Sequence, residues 1–98
     1  MGYEYVAEVS LNASQIERIK PIFLDNGFEL ADPLTKKRLH LLKGASLAKE
    51  EIFIDFDSQR ILITFHTYTY SQRSEFLNIA TQSIRDISGC NVDFNEAE

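Results

Sequence analysis

The chain has 98 residues, 44% of them hydrophobic and 26% charged, with a formal net charge of −5. This length predicts one domain, residues 1–98, and the composition excludes the low hydrophobicity and high charge of a disordered chain. No run approaches the ~20 apolar residues of a membrane span. The first residues, Met1 to Tyr5, lack the basic and apolar regions of a signal peptide. We therefore expect a cytoplasmic protein without a membrane partner.

The charges are distributed unevenly along the chain. Residues 32–49 hold five basic residues and one acid, whereas the rest of the chain holds fourteen acids and five basic residues. The overall acidity disfavours nucleic acid as a partner, because binding to phosphates normally requires a basic surface. Lys36, Lys37 and Arg38 follow a proline turn and lead into an edge-like strand. They are candidate contacts for phosphate or for an acidic partner, although lysines at a sheet edge also prevent aggregation.

The first part of the chain predicts a strand followed by a helix. Apolar residues alternate over residues 3–9, which is the period of a half-buried strand. Asn12 begins a capping-box pattern, and the apolar spacing after it predicts a helix over about 13–26. Pro21 lies inside this pattern and should kink or split the helix. Gly27 should end it in the left-handed conformation.

Two short strands are predicted over 28–31 and 38–43. The clearest local pattern in the chain follows them and predicts a hairpin. Residues 52–56 and 61–65 both alternate apolar and other side chains, with four turn residues between them. Pairing them as a hairpin places six large apolar side chains on one face, so the turn and the hydrophobic pattern select the same register. The predicted pairs are Ile52 with Phe65, Ile54 with Ile63, and Phe56 with Ile61.

The last third of the chain predicts a second helix. We expect the second hairpin strand to continue through Tyr70, Ser71 to cap the helix, and Gly89 to end it. A last strand is predicted over 91–94, before a frayed acidic tail over 95–98. This element order predicts an α+β fold, with two helices on one face of a four- or five-stranded antiparallel sheet. The strands would follow a ferredoxin-like split β-α-β order.

Patterns that would indicate catalysis, metal binding or cofactor binding are weak. No nucleophile has a His and an acid at a spacing that places them together, and there is no glycine-rich phosphate loop. Acylphosphatases have this length and a similar element order, but residues 10–14 lack the glycine and arginine of their loop. One cysteine, Cys90, expected to be buried, and two separated histidines offer no paired metal ligands. We predict no catalytic residues, no metal and no cofactor.

The pattern favours a binding module over an enzyme. Small acidic inhibitors such as bacterial immunity proteins and antitoxins resemble this chain in length, charge and lack of catalytic motifs. We expect a non-catalytic protein that docks on a basic protein partner and inhibits or regulates it, because acidic charge steers such association. The candidate contacts are the carboxylates near the hairpin and three residues expected on the uncovered sheet face: Glu50, Glu51, Asp55, Asp57, His66, Tyr68 and Tyr70.

Three alternatives use the same uncovered face. RNA or a nucleotide would stack on His66, Tyr68 and Tyr70 while the basic segment holds phosphates. A second copy of the chain would pair through Phe53, Leu62 and Tyr68 on this face. A small enzyme would use His66 as its acid–base group, although Tyr, Thr and His also suit the solvent side of any sheet.

Overall fold

The computed structural model describes residues 3–31, 38–43, 50–66 and 68–97, with Glu50 described by its backbone alone. Within these ranges the chain forms two helices and six strands. In chain order they are β1 (Tyr3–Ala7), α1 (Ala13–Asp25), β2 (Glu29–Leu30), β3 (Arg38–Lys43), β4 (Glu50–Phe56), β5 (Ile61–Phe65), α2 (Tyr70–Ser88) and β6 (Asn95–Glu96).

The strands form one sheet in the order β2-β3-β4-β5-β1-β6, and every pairing among the described residues is antiparallel. The α+β class and the packing of both helices on one face of an antiparallel sheet are confirmed. The described sheet has six strands rather than four or five, because β2 and β6 are two-residue strands that extend its edges. The ferredoxin-like order is not confirmed, since three strands rather than one separate β1 from β2.

The hairpin of β4 and β5 has the register that the sequence predicts. Ile52 lies opposite Phe65, Ile54 opposite Ile63, and Phe56 opposite Ile61. All six side chains are buried, and Phe65 contacts Phe76 of α2 edge to face with ring centres 5.7 Å apart. Because the turn and the core require the same register, a slip by one residue would expose the whole apolar set. The hairpin therefore forms the centre of the core.

The first helix begins and ends at the predicted signals. Asn12 accepts a hydrogen bond from the Gln15 amide, and the Gln15 side chain accepts one from the Asn12 amide, each at 2.9 Å. Gly27 has a φ of 90°, and the Phe28 amide after it bonds back to the Phe23 carbonyl. Pro21 lies inside α1 without splitting it.

The start of the second helix differs from the prediction. Strand β5 ends at Phe65 instead of continuing to Tyr70, and Thr69 rather than Ser71 is the N-cap of α2. Thr69 and Gln72 form a second capping box, which satisfies two amides at the helix start. Gly89 ends α2 with a φ of 74°, as predicted.

The C-terminal segment also differs from the prediction. Asn95 and Glu96, expected in a frayed tail, pair with Val6 and Tyr5 as β6. The Ala97 amide then donates a 2.8 Å bond to the Glu4 carbonyl. The edge of β1 supplies unpaired backbone groups, and satisfying them orders the tail. Cys90, expected to be buried, is exposed just after α2.

Candidate functional site

The side of the sheet opposite the helices is the largest uncovered surface that the strands create. It is called the uncovered face below and is defined by the residues that alternate with the core positions. Its described members are Glu4 and Val6 on β1, Glu29 on β2, Arg38, His40 and Leu42 on β3, Glu51, Phe53 and Asp55 on β4, Leu62, Thr64 and His66 on or just after β5, and Asn95 on β6. No helix of the described residues packs on this side.

Phe53 lies at the centre of the uncovered face with three nitrogen-bearing side chains around its ring. His40, directly opposite on β3, stacks on it with ring centres 4.2 Å apart and planes at 16°. The Arg38 guanidinium carbon lies 4.5 Å from the ring centre, and His66 approaches edge to face at 5.3 Å. These four residues are called the Phe53 cluster. The pairing of β3 and β5 with the two sides of β4 brings it together.

Two carboxylates of β4 contact the Phe53 cluster. Asp55 Oδ1 lies 3.0 Å from Arg38 Nε, and Glu51 Oε2 lies 3.8 Å from His40 Nε2. All four side chains are partly exposed, so solvent weakens these contacts. With Glu4 and Glu29, described residues of the face carry four carboxylates and one guanidinium, besides two histidines. The described part of the uncovered face therefore carries more carboxylates than guanidinium groups beside an aromatic centre.

The structure places the predicted contact residues in several regions. Glu51, Asp55, His66 and Arg38 share the uncovered face. Asp57 lies beyond β4, in the exposed turn, with its Oδ2 3.9 Å from Arg60 Nε. Glu50 begins β4. Lys36 and Lys37 lie outside the described residues.

Tyr68 and Tyr70 do not lie on the uncovered face. Tyr68 is only 5% exposed and packs on the core side, with its ring centre 5.5 Å from that of Phe65. Tyr70 is the first residue of α2 and is 73% exposed. Both differ from the prediction because the chain leaves the sheet after Phe65. The pair Thr69 and Gln72 is the sequence signal that indicates this, since it fits a capping box.

Tyr68 contributes instead to a pocket on the helix side. The pocket has a volume of about 250 Å³ and lies where β3 ends beside α2. It is lined by Phe28, Lys43, Tyr68, Gln72, Glu75, Phe76 and Ile79. Lys43 Nζ lies 4.8 Å from the centre of the Phe28 ring, so the lysine is already engaged by an aromatic face.

No group of three or more His, Cys, Asp or Glu side chains in the described residues is arranged to hold a metal ion. Neither described helix has both the length and the apolar character that crossing a membrane requires.

Comparisons with known proteins show a likeness of fold. One similar solved structure is the NMR structure of PA4090 from Pseudomonas aeruginosa. The likeness has a TM-score of 0.62 and covers 98% of each chain at 12% sequence identity. No family model matches the chain. No curated protein matches it either.

Proposed function

We propose that this chain is a non-catalytic cytoplasmic binding module that docks on a basic protein and inhibits or regulates it through the uncovered face. The observation that carries the proposal is the placement of a partly exposed aromatic ring among carboxylates on a sheet face that no described element covers. Aromatic residues at the centre of an interface contribute much of the binding free energy, and the charged rim adds specificity.

The charge of the face supports a cationic partner. The net charge of the chain is −5, and Glu4, Glu51 and Asp55 project from the same sheet face as Phe53. Such a field accelerates encounter with a positively charged protein. A second copy of this chain would bring like charges together, which disfavours a homodimer through this face.

RNA or a nucleotide is the second candidate, and the histidine–phenylalanine stack is the observation that favours it. Bases stack on aromatic platforms of open sheets. However, His40 and the Arg38 guanidinium already lie over the Phe53 ring. A base would have to displace one of them, and its phosphate would approach an acidic surface. The protein partner is therefore the better-supported candidate.

The proposal is tested by using the full chain as bait in a native lysate and then measuring the affinity for the purified partner. The variants are Phe53→Ala on the uncovered face and Leu24→Ala, an exposed apolar residue of α1, as the matched control. We expect a basic protein whose affinity falls about thirtyfold in Phe53→Ala, corresponding to a hot spot of ~2 kcal/mol. Leu24→Ala should bind like the wild type, and raising the salt concentration should slow association.

Two outcomes would contradict the proposal. A partner that binds wild type and Phe53→Ala equally would use another surface. Recovery of RNA that is removed by ribonuclease, with no basic protein, would favour the second candidate.

We also propose that the sheet is a ferredoxin-like arrangement enlarged by β3 and β4. In support, β5 and β6 run parallel on either side of β1 and are joined by α2, which is one split β-α-β unit. In the other unit, β1-α1-β2, the two strands are separated in the sheet by β5, β4 and β3 rather than by one strand.

A further inference from the structure

Arg73 is a buried arginine in the first turns of α2. It is only 8% exposed. Its Nε donates a 3.1 Å hydrogen bond to the Tyr5 hydroxyl, and its Nη1 donates a 2.7 Å bond to the Tyr68 carbonyl. The guanidinium carbon lies 3.7 Å from the centre of the Tyr3 ring and 5.8 Å from that of Tyr70. Tyrosines and a backbone carbonyl thus surround the guanidinium.

The positive charge of Arg73 has no carboxylate partner within the described part of the chain. Its hydrogen-bond acceptors are a hydroxyl and a carbonyl, both neutral. By contrast, Arg38 pairs with Asp55 and Arg60 with Asp57. Burying a charge is costly unless an opposite charge or strong hydrogen bonds compensate for it, and a cation–π contact compensates only in part. An anion from outside the chain would complete the compensation.

The position of Arg73 adds a second attraction for an anion. The Thr69–Gln72 capping box uses two amides at the start of α2, but those of Tyr70 and Ser71 have no hydrogen-bond partner in the described residues. Unpaired amides at a helix N-terminus, together with the helix dipole, attract anions. Helix α2 has 19 residues, long enough for a full dipole.

We propose that Arg73 and the start of α2 form a binding site for the phosphate or carboxylate group of a small molecule. Nη2 of Arg73, which has no hydrogen-bond partner in the described residues, is the nitrogen available to the oxyanion. Charge-assisted bonds from arginine to such groups are short and strong. Tyr3 and Tyr70, 44% and 73% exposed, flank the guanidinium and offer ring surfaces to the rest of the ligand. This site is separate from the uncovered face and does not depend on the proposed function.

The test is an amide NMR titration of the full chain with inorganic phosphate and, separately, with acetate, at ionic strength held constant with chloride. We expect saturable shifts confined to the amides of residues 3–5 and 68–73 with at least one of the two anions. Phosphate alone would indicate a phosphorylated ligand, and acetate alone a carboxylate ligand.

Variants assign the binding to the arginine. Arg73→Gln should weaken the affinity about tenfold or more, the effect of losing a hydrogen bond from a charged group. Arg85→Gln, an exposed arginine of the same helix, is the matched control and should bind like the wild type.

A third variant covers the case in which Arg73→Gln does not fold. Tyr70→Pro removes the amide of the first helical residue together with the Tyr70 ring. Proline is well tolerated at this position, and Thr69 before it already has extended backbone angles. This variant should also weaken binding. Shifts that are absent with both anions, spread over other basic residues, or unchanged in Arg73→Gln would overturn the proposal.

Discussion

The two faces of strand β4 differ although they share one backbone. Ile52, Ile54 and Phe56 point under the helices and are buried, whereas Phe53 and Asp55 alternate with them and stay partly exposed. The covered side is apolar. The size of each side chain matters there, because it must fill a space shared with both helices. The uncovered side carries charged, aromatic and histidine side chains whose identities the core does not require. Stability is thus concentrated on one face, and the proposed binding surface lies on the other.

A matched pair of phenylalanine truncations tests this contrast most strongly. Phe65 is fully buried and contacts the rings of Tyr5 and Phe76. Phe65→Ala should lower the free energy of unfolding by about 3–5 kcal/mol, since it removes buried surface and leaves a cavity. Phe53→Ala should cost only about 1 kcal/mol, because its ring is already partly in water. Urea unfolding of both variants measures the difference, and equal losses would show that the uncovered face is also structural.

A buried polar group on the covered side should have the next largest effect. Arg73→Met removes the bonds to the Tyr5 hydroxyl and the Tyr68 carbonyl and should cost about 2 kcal/mol. The exposed Arg85→Met should change stability by less than about 0.5 kcal/mol. Thermal unfolding in chloride buffer checks both. If Arg73→Met is as stable as the wild type, the desolvation cost of the charge equals the value of its hydrogen bonds.

Two alanine variants test which residue begins α2, where the chain has left the sheet. Thr69→Ala removes the N-cap hydroxyl that accepts from the Gln72 amide and should cost about 1 kcal/mol. Ser71 is the second residue of α2, so Ser71→Ala should change the free energy of unfolding by less than about 0.5 kcal/mol. Unfolding midpoints of the two variants give the comparison. A larger loss for Ser71→Ala would place the helix start where the sequence pattern alone predicted it.

The smallest effect is expected from the ion pair between Arg38 and Asp55 on the uncovered face. Both side chains are more than a third exposed, so water and salt screen the 3.0 Å contact. A double-mutant cycle with Arg38→Met and Asp55→Asn should give a coupling energy of about 0.2–1 kcal/mol, falling as salt is added. A salt-independent coupling energy above this range would indicate that the ion pair stabilises the fold.

The candidate site was only partly predictable from the sequence. Alternation in the hairpin strand indicates that Phe53 faces away from Ile52 and Ile54. His40 and Arg38 meet it only because β3 pairs with β4 in one register, with His40 opposite Phe53. Nothing local in the sequence sets that register. The burial of Arg73 has no sequence signal either, because two of its partners, Tyr3 and Tyr5, lie far away on the first strand.

The sequence by itself determined the features that local chemistry controls. The capping box at Asn12, the glycine ends of both helices and the hairpin register all follow from contacts within a few residues or from one alternating pattern. Only the tertiary structure decided that Tyr68 packs in the core beside Phe65 instead of lying on the uncovered face. It also decided that residues 95–97 are ordered against β1. Such choices depend on free energies shared between distant segments, so no local pattern fixes them.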